Sequence, residues 1–193
     1  MNLQRLLISL GLLLFLSPKV IFAEQLGTVG VYWQNLTFQA EEEEDTPNFF
    51  GYGLRLEYGY ELADTFELKL FASHNRSQKN SAKFFDGDVE ISNGGVNLGF
   101  RLVKSVYLGV DFGYKQFDSP SHHIHNETVG LWKGTGAAFH LGGYWKIRGY
   151  KTAQVSLQIS SYNLANDDGL EAVERKVDTV SLNMTYLLLS SMK

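Results

Sequence analysis

Residues 51–62 read GYGLRLEYGYEL. Every second position is bulky and apolar, namely Tyr52, Leu54, Leu56, Tyr58, Tyr60 and Leu62, while Gly51, Gly53, Arg55, Glu57, Gly59 and Glu61 fill the places between. Successive side chains of an extended chain point to opposite sides, so strict alternation marks a β-strand with two unlike faces. The fold turns on which of those faces looks inward.

The same alternation recurs along the chain. It predicts eight strands, over residues 27–38, 49–62, 65–75, 88–102, 105–117, 128–145, 151–163 and 177–189. No segment carries a 3.6-residue apolar period, so helices are not expected outside the loops. The connections alternate in length. AEEEEDTPN, RSQKNSAKFFDG, DSPSHHIHNE and LANDDGLEAVERK run to about ten residues or more, whereas Ala63–Asp64, Val103–Lys104 and KIRGY are short. Long and short connections therefore lie at opposite ends, as when short turns face the periplasm and long loops face outward.

The polar face decides between a soluble sheet and a membrane barrel. A soluble sheet would solvate that face and keep glycine off it, because glycine weakens strands. Here Gly51, Gly53, Gly59, Gly95, Gly99, Gly109, Gly113, Gly130, Gly134, Gly136 and Gly142 all lie on it, eleven of the 19 glycines. Small residues suit a bore that eight strands leave only just wide enough to fill with side chains. The charges on this face balance: Arg55, Lys69, Arg101 and Lys115 against Glu57, Glu61, Glu67 and Asp111. Charges taken out of water must be paired, and these eight are expected to form a network in the lumen.

The opposite face is apolar in mid-strand, with Leu54, Leu56, Leu68, Leu70, Val110, Leu157 and Leu182 among others. Tyr52, Tyr58, Tyr60, Phe66, Tyr114, Trp145 and Tyr186 lie nearer the strand ends and are expected to form two interfacial girdles. Val89 and Ile91 change parity against Val96 to Leu102, which predicts a bulge at Gly94 and Gly95.

Composition limits the alternatives. The chain has 193 residues, enough for one domain, and its net charge of -4 comes with scattered Lys and Arg, so no footprint for nucleic acid is present. Without cysteine there is no disulfide, no thiolate metal site and no lipidated N-terminal Cys. MNLQR, the apolar run Leu6 to Leu16, Ser17, Pro18 and IFA read as a signal peptide over 1–23, with cleavage after Ala23 leaving a barrel of residues 24–193. No later segment approaches about 20 apolar residues, so insertion in a membrane must be as a closed barrel.

Taken together, the signal peptide, the eight alternating strands and the one-sided loops resemble the small outer-membrane β-barrels of Gram-negative bacteria, the OmpA-type transmembrane domain and the opacity-protein group. The resemblance is one of pattern and covers residues 24–193. It implies an all-β, eight-stranded antiparallel up-and-down transmembrane barrel in the cell outer membrane, next to outer-membrane lipid and lipopolysaccharide. It also implies insertion by the barrel-assembly machinery through a last strand ending in an aromatic. In TVSLNMTYLLLSSMK that aromatic is Tyr186, seven residues before Lys193.

Candidate chemistry is sparse. Some barrels of this kind modify lipid A, and a deacylase carries His-x-Ser-Asn late in its penultimate strand. The matching place here is Ser160, Ser161, Tyr162, Asn163, where only the Asn agrees and the base is missing. Ser73 and His74 are adjacent but must point to opposite faces of a strand. His122, His123 and His125 in one loop are weak candidates for zinc, copper or nickel, with solvated loop histidines as the plainer reading. The acidic run EEEED at 41–45 is read as a solvated loop that could collect divalent cations. His140 faces the lumen as a partner for a neighbouring carboxylate. No cofactor is implied. The expected role is non-enzymatic: a barrel with a filled polar interior, serving envelope integrity or surface interaction through its long outer loops, with an unspecified surface partner. A small pore for ions or hydrophobic solutes and a lipid A-modifying enzyme are the alternatives.

Overall fold

A computed structural model describes residues 24–38, 48–62, 65–79, 88–103, 105–124, 127–147, 151–166 and 174–190. They form eight strands: β1 Glu24–Phe38, β2 Asn48–Leu62, β3 Phe66–Lys79, β4 Asp88–Val103, β5 Val106–Ile124, β6 Glu127–Ile147, β7 Lys151–Asn166 and β8 Glu174–Ser190. Each is antiparallel to the next, and β1 also pairs with β8, so the sheet closes on itself and leaves no open edge. The signal-peptide region 1–23 and the acidic run 41–45 lie outside the described residues, as does His125; of His122 and His123 only the backbone is described.

The alternation of β2 divides its residues as the barrel requires. Arg55, Glu57, Gly59 and Glu61 are buried in the bore, while Leu54 and Leu56 are 60% and 56% exposed on the outside. An outer surface carrying Leu54, Leu56, Leu70, Leu102, Phe112, Leu141, Leu157, Ile159, Leu182 and Met184 is stable only against lipid. The aromatics Tyr52, Tyr58, Tyr114 and Trp145 are exposed on it, and Tyr60, Phe66 and Tyr186 are half-buried. Tyr58 and Tyr60, with Phe66 against Phe100 at 5.0 Å, gather near the β2–β3 turn. Tyr52 stands opposite Trp33 toward the loop end.

The strands run past the membrane. Crossing a bilayer takes about 9–11 tilted residues, and the strands here have 14 to 21. β3 continues to Lys79 and β5 to Ile124, well beyond the ends expected from the pattern at 75 and 117, so the stretch DSPSHHIHNE expected as a long loop is instead mostly strand, with His122 paired to Val129 and His123 to Thr128 in the β5–β6 hairpin.

The extension corrects the reading of β4. No bulge interrupts Gly94 and Gly95: Asn93, Gly94, Gly95 and Val96 pair in unbroken register with both neighbours. The register shifts fall instead between Gly27 and Thr28, Arg101 and Val103, and Asp118 and His122. Val89 and Ile91 keep the parity of Asn97 and point into the bore, where they join Leu36, Phe49, Phe117, Trp132, Tyr162, Leu164 and Val177 in a buried apolar cluster. Its residues come from the loop-end halves of every strand but β3. Phe49 and Phe117 meet edge to face at 5.6 Å.

Most outward neighbours at that level are polar, Asn35, Glu90, Ser92, Asp118, Lys133, Asn163 and Lys176, with Phe50 and Leu131 the apolar exceptions. The period of two is therefore constant while its meaning reverses with height. Within the bilayer the apolar face looks out and the polar face looks in. Above it, water surrounds the barrel and the apolar face turns inward as in a soluble protein. This cap closes the outer mouth of the bore.

Candidate functional site

Below the cap the bore is filled by an ionic ladder. Arg101 reaches Glu61 Oε1 through Nη1 at 3.0 Å and Glu67 Oε1 through Nη2 at 2.8 Å. Lys69 Nζ lies 3.1 Å from Glu67 Oε2 and 2.7 Å from Glu57 Oε2. Arg55 carries the chain upward, donating from Nε to Glu57 Oε1 at 2.7 Å and from Nη1 to Asp111 Oδ2 at 2.9 Å. His140 Nε2 ends it, 2.8 Å from Asp111 Oδ2. Five strands, β2 to β6, contribute to this one line of charges.

Burial makes the pairing obligatory. Asp111 is 0% exposed, Lys69 2% and Arg55 3%, and removing one partner of such a pair leaves a charge without solvation. Neutral groups complete the hydrogen bonding. Asn97 donates from Nδ2 to Asp111 Oδ1 at 2.7 Å and accepts at Oδ1 from Tyr107 Oη at 3.0 Å. Tyr144 Oη donates to Glu67 Oε1 at 2.7 Å, and Thr28 Oγ1 to Glu57 Oε2 at 3.1 Å. The guanidinium of Arg55 also covers the Phe71 ring at 4.2 Å and that of Arg101 the Tyr144 ring at 4.7 Å.

The glycines make this packing possible. A Cβ on Gly99 would stand 2.7 Å from the Tyr107 ring, and one on Gly109 would stand 2.5 Å from its hydroxyl. Tyr107, fully buried, lies across the space the two leave open.

The other side of the bore is uncharged. β7 and β8 present Gln154, Ser156, Gln158, Ser160, Thr179, Ser181, Asn183 and Thr185, all buried. Gln158 Oε1 accepts from Ser181 Oγ at 3.2 Å and from Asn183 Nδ2 at 3.0 Å.

The eight charges singled out in the sequence all lie in the lumen, but they do not form one network. Seven join the ladder. Lys115 stands above it, donating to Thr179 Oγ1 at 3.1 Å and covering the Tyr162 ring at 4.2 Å. The interior tyrosines 32, 107, 144 and 162 were not singled out, although Tyr107 shares the parity of Asp111 and Lys115 and could have been found by it.

Hydrolytic chemistry finds little support in this arrangement. Ser73 points inward and His74 outward, where His74 Nδ1 is 3.0 Å from Ser92 Oγ. That pair sits on a continuous ladder whose backbone N–H groups are committed to strand pairing. Ser160 and Tyr162 are buried and Asn163 is on the outside. No group of three or more His, Asp or Glu side chains among the described residues could hold a metal.

Solved structures similar to the chain share this architecture. OprG of Pseudomonas aeruginosa superposes with a TM-score of 0.55 at 13% identity, covering 86% of this chain and 95% of that one. The fold is that of the small outer-membrane β-barrels. The outer-membrane protein AlkL, studied in lipid bilayers, gives 0.54 at 12% identity over 92% of this chain and 95% of its own. Neisserial surface protein A gives 0.52 at 10% identity over 82% and 95%. No family model matches the sequence, and no curated protein matches it. At such identities the likeness is one of fold.

Proposed function

We propose that this outer-membrane barrel is a non-enzymatic and non-conducting element of the Gram-negative envelope. It serves as a rigid stem that carries the four outer connections, after β1, β3, β5 and β7, to the cell surface for envelope integrity or surface contact. Outer-membrane lipid, with lipopolysaccharide in the outer leaflet, is its constant neighbour.

The observation that carries this reading is the double closure of the bore. Arg55 and Asp111 join across it, and the apolar cap lies over them. A solute would have to part a buried ion pair and then cross a dry cluster of Leu, Val, Ile, Phe and Trp, and ions would meet both obstacles in series.

Planar-bilayer recording tests it. The purified barrel should show no steady conductance, and lipid A from cells expressing it should keep its mass. A stable, well-defined conductance altered by neutralising Arg55 or Arg101 would replace this reading with that of a small pore. Exchanging the connections after β1, β3 and β7 for short turns should preserve heat-modifiable migration on gels and abolish any surface phenotype.

A further inference from the structure

Between the ladder and the cap lies a cavity of about 20 Å³, bordered by Arg55, Lys115, Asn93, Gln158, Thr179 and Ser181. We propose that it binds one small anion of the halide class, held by Lys115 and Arg55.

Two buried basic side chains line this space with donors to spare. Lys115 is 3% exposed and has Thr179 as its hydrogen-bond acceptor, and no carboxylate among the described residues pairs with it. Arg55 uses Nε on Glu57 and Nη1 on Asp111, while its Nη2 is buried and has no hydrogen-bond partner among the described residues. The four lumen carboxylates are all engaged in the ladder below. The positive charge of Lys115 is thus compensated locally by nothing but the face of Tyr162.

An ammonium out of water with no counter-charge is a costly arrangement, which either loss of its proton or a bound anion removes, and only the anion keeps the amine charged. The lining suits it. Thr179 Oγ1 accepts from Lys115, which frees its own proton to turn into the cavity, and no carboxylate is among the residues lining it, Asp111 lying behind Arg55 and Gln158. Size points to a small occupant, because a cavity of about 20 Å³ suits a monatomic ion or a water. Water is the competing occupant; Arg55 is already paired with Glu57 and Asp111, so it is the charge of Lys115 that favours the anion over it.

The decisive test is crystallography of the full barrel grown in sodium bromide. An anomalous peak within hydrogen-bonding reach of Lys115 Nζ and Arg55 Nη2 is the expected result, and ordinary water density without anomalous signal there overturns the proposal. In detergent micelles, thermal unfolding in chloride should exceed that in gluconate at equal ionic strength by about 2–4 °C. Lys115→Met should remove that difference. Equal unfolding temperatures for the unsubstituted barrel in the two salts would count against the site, and the bromide experiment needs no variant to fold.

Discussion

Arg55 on β2 and Asp111 on β5 meet across the barrel at 2.9 Å, joining strands that lie three places apart in the wall. The contact is a strut through the bore, and it is one link in a line of charges that begins at Arg101 near the short turns. A cylinder of antiparallel strands is held at its circumference by hydrogen bonds. Its interior must be held by something else, and here ion pairs between distant strands do it.

Removing one end of the strut should be expensive. Arg55→Met leaves Asp111 and Glu57 buried beside fewer cations and should destabilise the barrel by about 3–5 kcal/mol in urea unfolding from lipid vesicles. Adding Asp111→Leu should cost less than the sum of the two single changes, with a coupling of about 0.5–3 kcal/mol. Strict additivity would show that the two residues do not act as a pair.

Tyr107 depends on its glycines. Gly99→Val should drive the ring from its place and break its hydrogen bond to Asn97, for a loss of about 1–3 kcal/mol. Pairing it with Tyr107→Ala should recover part of that loss, because the smaller side chain no longer occupies the space. No recovery in the double variant would place the strain elsewhere.

The cap should behave as a soluble core. Trp132→Ala, at a position 2% exposed, should cost about 3–5 kcal/mol of unfolding free energy. A loss under about 0.5 kcal/mol would mean that the cap does not pack as described.

Depth should be measurable on a single strand. Leu157 and Asn163 both face outward on β7, six positions apart. Leu157→Arg should cost about 2–4 kcal/mol, as for a charge facing lipid near mid-bilayer, whereas Asn163→Arg should cost about 0–1 kcal/mol. Similar costs at the two sites would deny that β7 rises out of the membrane between them.

Much of this architecture is legible in the chain. The alternation of GYGLRLEYGYEL assigns Arg55 and Glu57 to one face and Leu54 and Leu56 to the other, and the one-sided lengths of the connections orient the strands. What pattern alone does not supply is height. Val89 and Ile91 look like a break in the lipid-facing parity of β4 when every apolar residue is assumed to face lipid. Above the bilayer an apolar side chain belongs inside, and the strand needs no bulge. Lys115 is a second case. Parity assigns it to the lumen with the other charges, but which charges touch depends on the stagger between strands, and that stagger sets it one level above all four carboxylates.

The chain has no native cysteine, so single labels can be placed at will, and a spin-label scan along β7 is the most direct test of the barrel's inverted polarity. Labels at Leu157 and Ile159 should be reached by oxygen dissolved in lipid, and labels at Asn163 by a water-soluble quencher. Labels at Ser156, Gln158 and Leu164 should be reached by neither. Free access of the aqueous quencher to positions 156 and 158 would mean an open bore, and would contradict the closed barrel described above.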